Sequence, residues 1–171
     1  MLVEELNINH NILKSIKALG YVEATQIQEK CIPVIKLGKD VVGQSSTGSG
    51  KTAAFGIPLL EKVENGKGLQ VLILTPTREL CVQVSDAISS FSKFLGTRIV
   101  SIYGGVGIGP QIHAIPRAEI VVGTPGRILD HLERRTINFD KVKILVLDEA
   151  DKMFEMGFIE DVERIMKHIP K

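Results

Sequence analysis

Residues 45–52 have the composition and spacing of a phosphate-binding loop. The segment reads Ser-Ser-Thr-Gly-Ser-Gly-Lys-Thr and lies between the apolar pair Val41–Val42 and a predicted helix that begins near Ala53. Glycines let a backbone curl so that several N–H groups face one anion, and a following helix N-terminus adds partial positive charge. In such a loop Lys51 would reach the outer phosphates of a nucleotide, and the hydroxyl of Thr52 would hold Mg²⁺.

The candidate nucleotide ligands in this loop are consecutive: Ser45, Ser46, Thr47, Gly48, Ser49, Gly50, Lys51 and Thr52. The general pattern has glycine at the first position, where this chain has Ser45. A glycine–serine turn with a chance lysine is the alternative. The flanking strand and helix signals favour the phosphate-binding interpretation.

An acidic segment follows a short apolar run closer to the C-terminus. Ile144–Leu147 leads directly into Asp148 and Glu149. A buried strand that ends in a carboxylate is what a Mg²⁺ site beside a phosphate-binding loop needs, so Asp148 is predicted to hold the ion, through water. Glu149 can orient or deprotonate the attacking water. A solvated acidic helix start is the alternative, and the upstream loop disfavours it.

Four short apolar runs predict the strands that position these residues. Each is nearly uninterrupted, which is typical of parallel strands buried on both faces. The runs are Val71–Leu74, Ile99–Tyr103, Ile120–Val122 and Ile144–Leu147, and a further strand over 40–43 is predicted to feed the phosphate-binding loop. Helical patterns lie between most of them, so the predicted class is α/β, with a mostly parallel sheet and helices on both faces. Ligands of such sheets bind at the carboxyl ends of the strands.

Helical periodicity and end signals place the predicted helices. The first predicted helix covers residues 8–19, with an asparagine near its start and Gly20 as its stop signal. In the second predicted helix, Thr25 is the N-cap and Gly38 is the stop signal. Pro33 is predicted to bend this second helix or to end it early. The loop helix is predicted to run to about Val63, and further helices are predicted over 77–95 and 126–134.

Composition limits the class of protein. With 171 residues, 44% hydrophobic residues and a net charge of +1, the chain is predicted to be a single domain with a sizeable core. Cys31 and Cys81 have no metal-ligand spacing, and the four histidines share none either, so His131 is read as a surface or packing residue. No signal peptide or membrane span is visible, so we expect a cytoplasmic monomer.

Two segments repeat one pattern at the end of an apolar run: Thr75-Pro76-Thr77-Arg78 and Thr124-Pro125-Gly126-Arg127. In each, threonine is predicted to cap a helix, proline to enter its first turn and arginine to follow two residues later. Free N–H groups with a guanidinium make a phosphate clamp that reads no base. Two clamps on one sheet edge suit a nucleic-acid strand. Two capped helices whose arginines pair with carboxylates are the alternative.

The ordered set of motifs resembles that of the DEAD-box RNA helicases. The set comprises Asp148-Glu149-Ala150-Asp151 with its continuation to Phe158, Pro76–Leu80, Gly104–Gly105 and Thr124–Arg127. The resemblance covers nearly the whole chain and implies a RecA-like ATP-binding domain with ATP and Mg²⁺ as cofactors. It also implies sequence-independent RNA binding through Pro76, Thr77, Arg78, Gly104, Gly105, Thr124, Pro125, Gly126 and Arg127, and interdomain coupling through Asp151.

The segment from Tyr21 to Gln28 resembles the family's adenine-reading Q motif. The resemblance implies that Gln28 bonds the adenine edge, which selects ATP over GTP, and that Thr25 supports the loop. Ala24 stands where the family usually has proline. Val3 stands where the family has an aromatic residue that stacks on adenine, so we expect weaker or less selective base binding.

The predicted organisation is a Q-motif region over 1–38 packed on a RecA-like helicase domain over 39–171, truncated before the family's Ser-Ala-Thr motif and second domain. The fragment is therefore expected to bind nucleotide without unwinding RNA. A non-catalytic RNA-binding scaffold and a P-loop ATPase acting on DNA are the alternative functions.

Overall fold

A computed structural model describes residues 1–46 and 48–171. Its helices are α1 (His10–Ala18), α2 (Gln26–Lys36), α3 (Lys51–Lys62), α4 (Arg78–Phe91), α5 (Gly109–Ala114), α6 (Pro125–Glu133), α7 (Ala150–Glu155) and α8 (Ile159–Met166). Its strands are β1 (Val71–Leu74), β2 (Ile99–Ile102), β3 (Ile120–Gly123) and β4 (Ile144–Leu147), and short 3₁₀ turns cover Val3–Leu6 and Ile115–Arg117.

The chain forms two compact units. The first unit comprises residues 1–63 and 86–97, and the second comprises residues 64–85 and 98–171. The predicted domain boundary at 38/39 and the single-domain organisation stay predictions. No helix among the described residues is long and apolar enough to cross a membrane.

The sheet lies in the second unit and is parallel throughout, as the sequence predicted. Its strand order is β2-β3-β1-β4, and its register aligns Ile102, Gly123, Leu74 and Leu147 at the carboxyl ends. The backbone continues this alignment beyond the strands, since the Thr124 N–H donates to Ile102 O at 3.0 Å and the Asp148 N–H to Leu74 O at 2.9 Å. The segments that follow β1, β2, β3 and β4, which carry the predicted RNA contacts and the acidic residues, therefore leave the same edge of the sheet.

Burial differs between central and edge strands, which corrects one prediction. Every residue of β1 and β3 is buried, as an uninterrupted apolar run predicts. The edge strands β2 and β4 are mostly half-buried, and Leu147 is 37% exposed. An edge strand lacks one neighbour, so its apolar run does not by itself show which strands are fully enclosed.

The strand predicted over 40–43 is absent. Residues 39–46 have no helix or strand, and the Val42 side chain is fully exposed. Two adjacent β-branched residues favour extended backbone, but a strand also requires a hydrogen-bonded neighbour. This segment therefore enters the phosphate-binding loop as an irregular connection.

The helix ends of the first unit follow the sequence signals closely. The Asn9 side chain accepts hydrogen bonds from the N–H groups of Asn11 and Ile12, and so caps α1. Pro33 does not end α2 early, which was one of the two predicted effects; the helix continues to Lys36 and stops before Gly38, whose φ is +80°. A proline inside a helix removes the hydrogen bond to the carbonyl four residues earlier, and a bend can accommodate this loss without ending the helix.

Candidate functional site

The phosphate-binding loop lies in the first unit and ends at the start of α3. Gly50, the N-cap of α3, has φ +82° and ψ +27°, in the left-handed region that glycine adopts most easily. No side chain of residues 1–46 or 48–171 caps this helix, so N–H groups of its first turn are available to an anion. Ser45 Oγ and Ser49 Oγ are 2.5 Å apart and share a hydrogen bond across the loop. The predicted ligand Thr47 lies outside the described residues.

Thr25 and Gln28 lie against this loop. They form a reciprocal capping box at the start of α2, in which Gln28 Oε1 accepts from the Thr25 N–H at 3.0 Å. Gln28 Nε2 also donates to Gly50 O at 3.2 Å, and the Gln28 side chain is buried. Gln28 is therefore buried against the loop and does not lie on the helix surface. An amide has two N–H donors and two acceptor lone pairs, so Gln28 retains one of each for a base edge.

A cavity of about 480 Å³ opens beside the loop in the first unit. Its lining residues are Gly20, Tyr21, Val22, Glu23, Thr25, Gln28, Gly48 and Gly50. Tyr21 packs edge-to-face on Phe91 with ring centroids 6.0 Å apart, and burial raises the pKa of its hydroxyl. Lys51 and Thr52, at the first two positions of α3, are half-buried. N–H donors suited to phosphate and a cavity large enough for a base thus lie side by side in the first unit.

Val3 takes no part in this cavity. It is 2% exposed, and its N–H donates to Val22 O at 2.9 Å. Its side chain belongs to the core and is not among the residues that line the cavity. Weaker base binding stays a prediction.

The second unit has its own cavity of about 430 Å³ at the carboxyl edge of the sheet. Most of its lining was predicted from the sequence, and Asp130 and Phe158 are additions. The lining residues are Pro76, Arg78, Gly104, Thr124, Pro125, Gly126, Arg127, Asp130 and Phe158. Two other predicted RNA contacts lie nearby. Thr77 caps α4. Gly105 lies near Arg78, because a Cβ built on Gly105 would be 3.8 Å from Arg78 Nη1.

The two threonine–proline segments begin their helices differently, which corrects the prediction that they share one device. Pro125 is the first residue of α6, but the Thr124 side chain makes no capping bond. In the other segment Pro76 precedes the helix, and Thr77 accepts from the Leu80 N–H at 3.2 Å. Thr75 is buried and donates instead to Thr77 O. The similarity of the two four-residue segments therefore did not determine at which residue each helix begins.

The two arginines of these segments also differ. Arg78 is exposed, and its guanidinium lies 4.8 Å from the centroid of the Tyr103 ring in a cation–π contact. Arg127 is 13% exposed and donates through Nη2 to Val106 O at 2.9 Å and through Nη1 to Gln111 Oε1 at 3.2 Å. Its Nε lies 3.9 Å from Asp130 Oδ2. Arg78 thus contacts only the face of the Tyr103 ring among these partners, whereas Arg127 is hydrogen-bonded within the wall of the cavity.

The acidic segment follows β4 in the second unit. Asp148 is half-buried, and Asp151 is exposed near the start of α7. Glu149 adopts φ +53° and ψ +51°, which is uncommon for a residue other than glycine. Its carboxylate pairs with Lys152 Nζ at 2.9 Å, and this pairing raises the pKa of Lys152. A backbone outlier at a candidate catalytic residue is consistent with strain held at a functional site.

Sequence reasoning missed two residues of the second cavity's surroundings. Gln111 and His131 are both buried, and His131 Nε2 lies 2.9 Å from Gln111 Oε1. Gln111 stands outside every motif that was recognised, and His131 was read as a surface or packing residue. Polar side chains at apolar helix positions were the available signal, but they do not identify their partners.

A glycine-rich loop at a helix N-terminus and a parallel sheet with its polar loops on one edge define a P-loop nucleotide-binding α/β protein. The sequence profile described as "DEAD/DEAH box helicase" matches residues 25–171. The chain belongs to this family.

Similar proteins agree in sequence and in structure. The chain is 49% identical over 168 residues to the ATP-dependent RNA helicase CshA of Listeria monocytogenes and 53% identical over 169 residues to the ATP-dependent RNA helicase DeaD of Buchnera aphidicola. These matches cover 97% of this chain but 32% and 28% of the two relatives, so the chain spans about a third of their length or less.

Two solved structures share the fold. A DEAD box protein from Methanococcus jannaschii matches with a TM-score of 0.96 at 50% identity, over 99% of this chain and 47% of that one. A hypothetical ATP-dependent RNA helicase from Sulfolobus tokodaii matches with a TM-score of 0.88 at 42% identity, over 94% of this chain and 47% of that one. The predicted RecA-like α/β class is confirmed.

Proposed function

We propose that this chain is the ATP-binding first domain of an ATP-dependent RNA helicase, which couples ATP hydrolysis to local unwinding or remodelling of RNA duplexes. The observation that carries the proposal is the cavity at the carboxyl edge of the sheet. Arg78 at the start of α4, Gly104 in the loop after β2 and Arg127 in the first turn of α6 line it together. Guanidinium groups and glycine backbone suit a phosphate chain and carry no base-reading groups. The two relatives named above are RNA helicases, and this supplies the substrate class.

The nucleotide is proposed to bind through the loop of residues 45–52 and through Thr25 and Gln28, with Tyr21 in the wall of the cavity. Lys51 would stabilise charge on the outer phosphates, and Glu149 would orient or deprotonate the attacking water. In this role the Glu149 carboxylate exchanges its pairing with Lys152 for a contact with that water.

Mg²⁺ is the proposed metal, held by the Thr52 hydroxyl and, through water, by the Asp148 carboxylate. Both are hard oxygen ligands of the kind that Mg²⁺ prefers. When bound, the ion would neutralise charge on the phosphates.

Asp151 is proposed to contact a second RecA-like domain, which would complete the ATP site. Lys51 and Mg²⁺ alone stabilise the transferring phosphoryl group incompletely. The chain by itself is therefore expected to bind ATP or ADP weakly, as a monomer, with negligible RNA-stimulated turnover. A cytoplasmic location stays a prediction.

The test is steady-state ATP turnover by the protein that contains this chain, measured with RNA, with DNA and with neither, beside a Glu149→Gln variant. RNA, but not DNA, is expected to accelerate ATP turnover. The Glu149→Gln variant is expected to lose ATP turnover. Equal stimulation by DNA would favour a DNA-directed ATPase, and absence of any turnover would favour a non-catalytic scaffold. Unwinding by residues 1–171 alone would contradict the expected need for a second domain.

A further inference from the structure

Gln111 connects three parts of the second unit through one buried amide. Its Nε2 donates to Tyr103 O at 2.9 Å, at the end of β2. Its Oε1 lies 3.2 Å from Arg127 Nη1 and 2.9 Å from His131 Nε2, both on α6. The Gln111 side chain is therefore bonded on both sides of its amide, in the interior and beside the cavity.

These partners fix the orientation of the amide and the tautomer of the histidine. A peptide carbonyl only accepts and a guanidinium only donates, so the NH₂ group must face Tyr103 and the oxygen must face Arg127. His131 Nε2 must then carry a proton to donate to the same oxygen. Nδ1 of the neutral ring is left to accept the single Thr136 hydroxyl proton over 2.7 Å, in place of the longer 3.2 Å contact between that hydroxyl and His131 O. Burial, followed by the Arg127 charge, lowers the pKa of His131 and favours this neutral form.

The same bonds hold the glycine loop of the cavity at both ends. Gln111 binds the carbonyl of Tyr103, and Arg127 binds the carbonyl of Val106 at 2.9 Å. Gly104 and Gly105 lie between these two anchors. A guanidinium has five N–H donors, and the two bonds to protein leave others for a ligand in the cavity that Arg127 lines.

We infer that Gln111 and His131 are positioning residues for nucleic-acid binding: His131 orients the Gln111 amide, and Gln111 holds Arg127 and the loop from Tyr103 to Val106 in the arrangement that meets a phosphate. Neither side chain lines the cavity, so both act through Arg127 and the loop. The inference rests on the proposed function for its ligand, a nucleic-acid phosphate.

The binding test uses the 171-residue chain and a fluorescent single-stranded oligouridylate, titrated at several salt concentrations. Gln111→Met and Arg127→Ala are each expected to weaken binding about tenfold, as loss of one charge-assisted contact does, and to lower the slope of log affinity against log salt by about 0.7. Because both substitutions remove the same contact, combining them is expected to weaken binding no further. Wild-type affinity and slope in Gln111→Met, beside losses in Arg127→Ala, would overturn the inference.

Two histidine variants separate positioning from packing. His131→Gln keeps an N–H donor for Gln111 and is expected to stay within about twofold of wild type, whereas His131→Phe is expected to behave like Gln111→Met. Equal losses in both histidine variants would contradict the role of the donor. Ser85→Ala serves as the matched control, because it removes a buried hydroxyl bond to Ser101 of 2.6 Å in the same unit, away from the cavity, and should leave binding unchanged.

Nuclear magnetic resonance tests the arrangement without a nucleic acid. If the wild-type chain bound no oligonucleotide, the proposed RNA contact would fail, and the ring nitrogen shifts of His131 would still decide the positioning. We expect a protonated Nε2 and an unprotonated Nδ1, with slow exchange of the Arg127 side-chain N–H that becomes faster in Gln111→Met. The opposite tautomer, or unchanged exchange in that variant, would overturn the inference.

Discussion

The contact between Gly50 and Gln28 gives a quantitative test of how the Q motif supports the phosphate-binding loop. A Cβ added at Gly50 would lie 2.4 Å from Gln28 Nε2 and 3.1 Å from Thr25 Oγ1. Gly48 has nearly the same φ, +81° against +82°, but a Cβ there meets no atom of the described residues within 4 Å. Gly48→Ala therefore measures the backbone cost alone, and Gly50→Ala measures that cost together with displacement of the Gln28 amide.

The expected magnitudes follow from these distances. Left-handed backbone costs alanine about 1–2 kcal/mol, and alanine regains about 0.4–1 kcal/mol by restricting the unfolded chain. Gly48→Ala should thus lower the free energy of unfolding by about 0–1.6 kcal/mol, with a midpoint of about 0.8 kcal/mol. Gly50→Ala also breaks the buried bond from Gln28 Nε2 to Gly50 O, which adds about 1–3 kcal/mol.

The assay is urea-induced unfolding followed by circular dichroism, without nucleotide. Adding Gln28→Ala to each glycine variant completes the comparison, because the extra cost at Gly50 should largely disappear when the amide is absent. Equal destabilisation by Gly48→Ala and Gly50→Ala, or an extra cost that persists without the Gln28 amide, would refute the proposed contact.

Three further predictions concern the second unit. Gly123→Ala should destabilise the protein by about 1–3 kcal/mol in urea unfolding, because its Cβ would lie 2.5 Å from Ile128 Cδ1 and 3.1 Å from Ile102 O; wild-type stability would contradict this packing. Burial raises the pKa of Cys81 to about 11, so a thiol reagent at neutral pH should modify it only after unfolding, and rapid modification of the native chain would contradict its burial. Burial lowers the pKa of His131, so the unfolded state binds more protons and stability should fall as the pH drops below about 6.5, whereas His131→Gln should show a smaller fall.

The fold was largely predictable because its local and long-range signals agree. The four apolar runs became the four strands, and Asn9 and Thr25 cap helices as their residue types indicate. The strand at 40–43 failed because strand formation depends on a neighbour, which the sequence near Val42 does not reveal. The half-burial of β4 has a related cause: strand order decides which run lies at an edge.

The candidate site was predictable where a motif determines the backbone conformation. It was less predictable where the position of a side chain depends on its hydrogen-bond partners. Glycines and prolines correctly marked the loops that line the two cavities. The sequence treated Arg78 and Arg127 as equivalent, yet one is exposed over Tyr103 and the other is bonded into the interior. Such differences arise from residues distant in the chain, here Gln111, that no local pattern connects to the motif.

Calorimetric titration of the 171-residue chain with ATP, ADP and GTP tests whether the phosphate-binding loop binds an adenine nucleotide. We predict that ATP and ADP bind, that GTP binds at least about tenfold more weakly because Gln28 reads the base edge, and that Lys51→Ala weakens binding of both adenine nucleotides. Equal affinity for ATP and GTP would contradict the assignment of Gln28. Absence of binding by any of the three would contradict the nucleotide site itself.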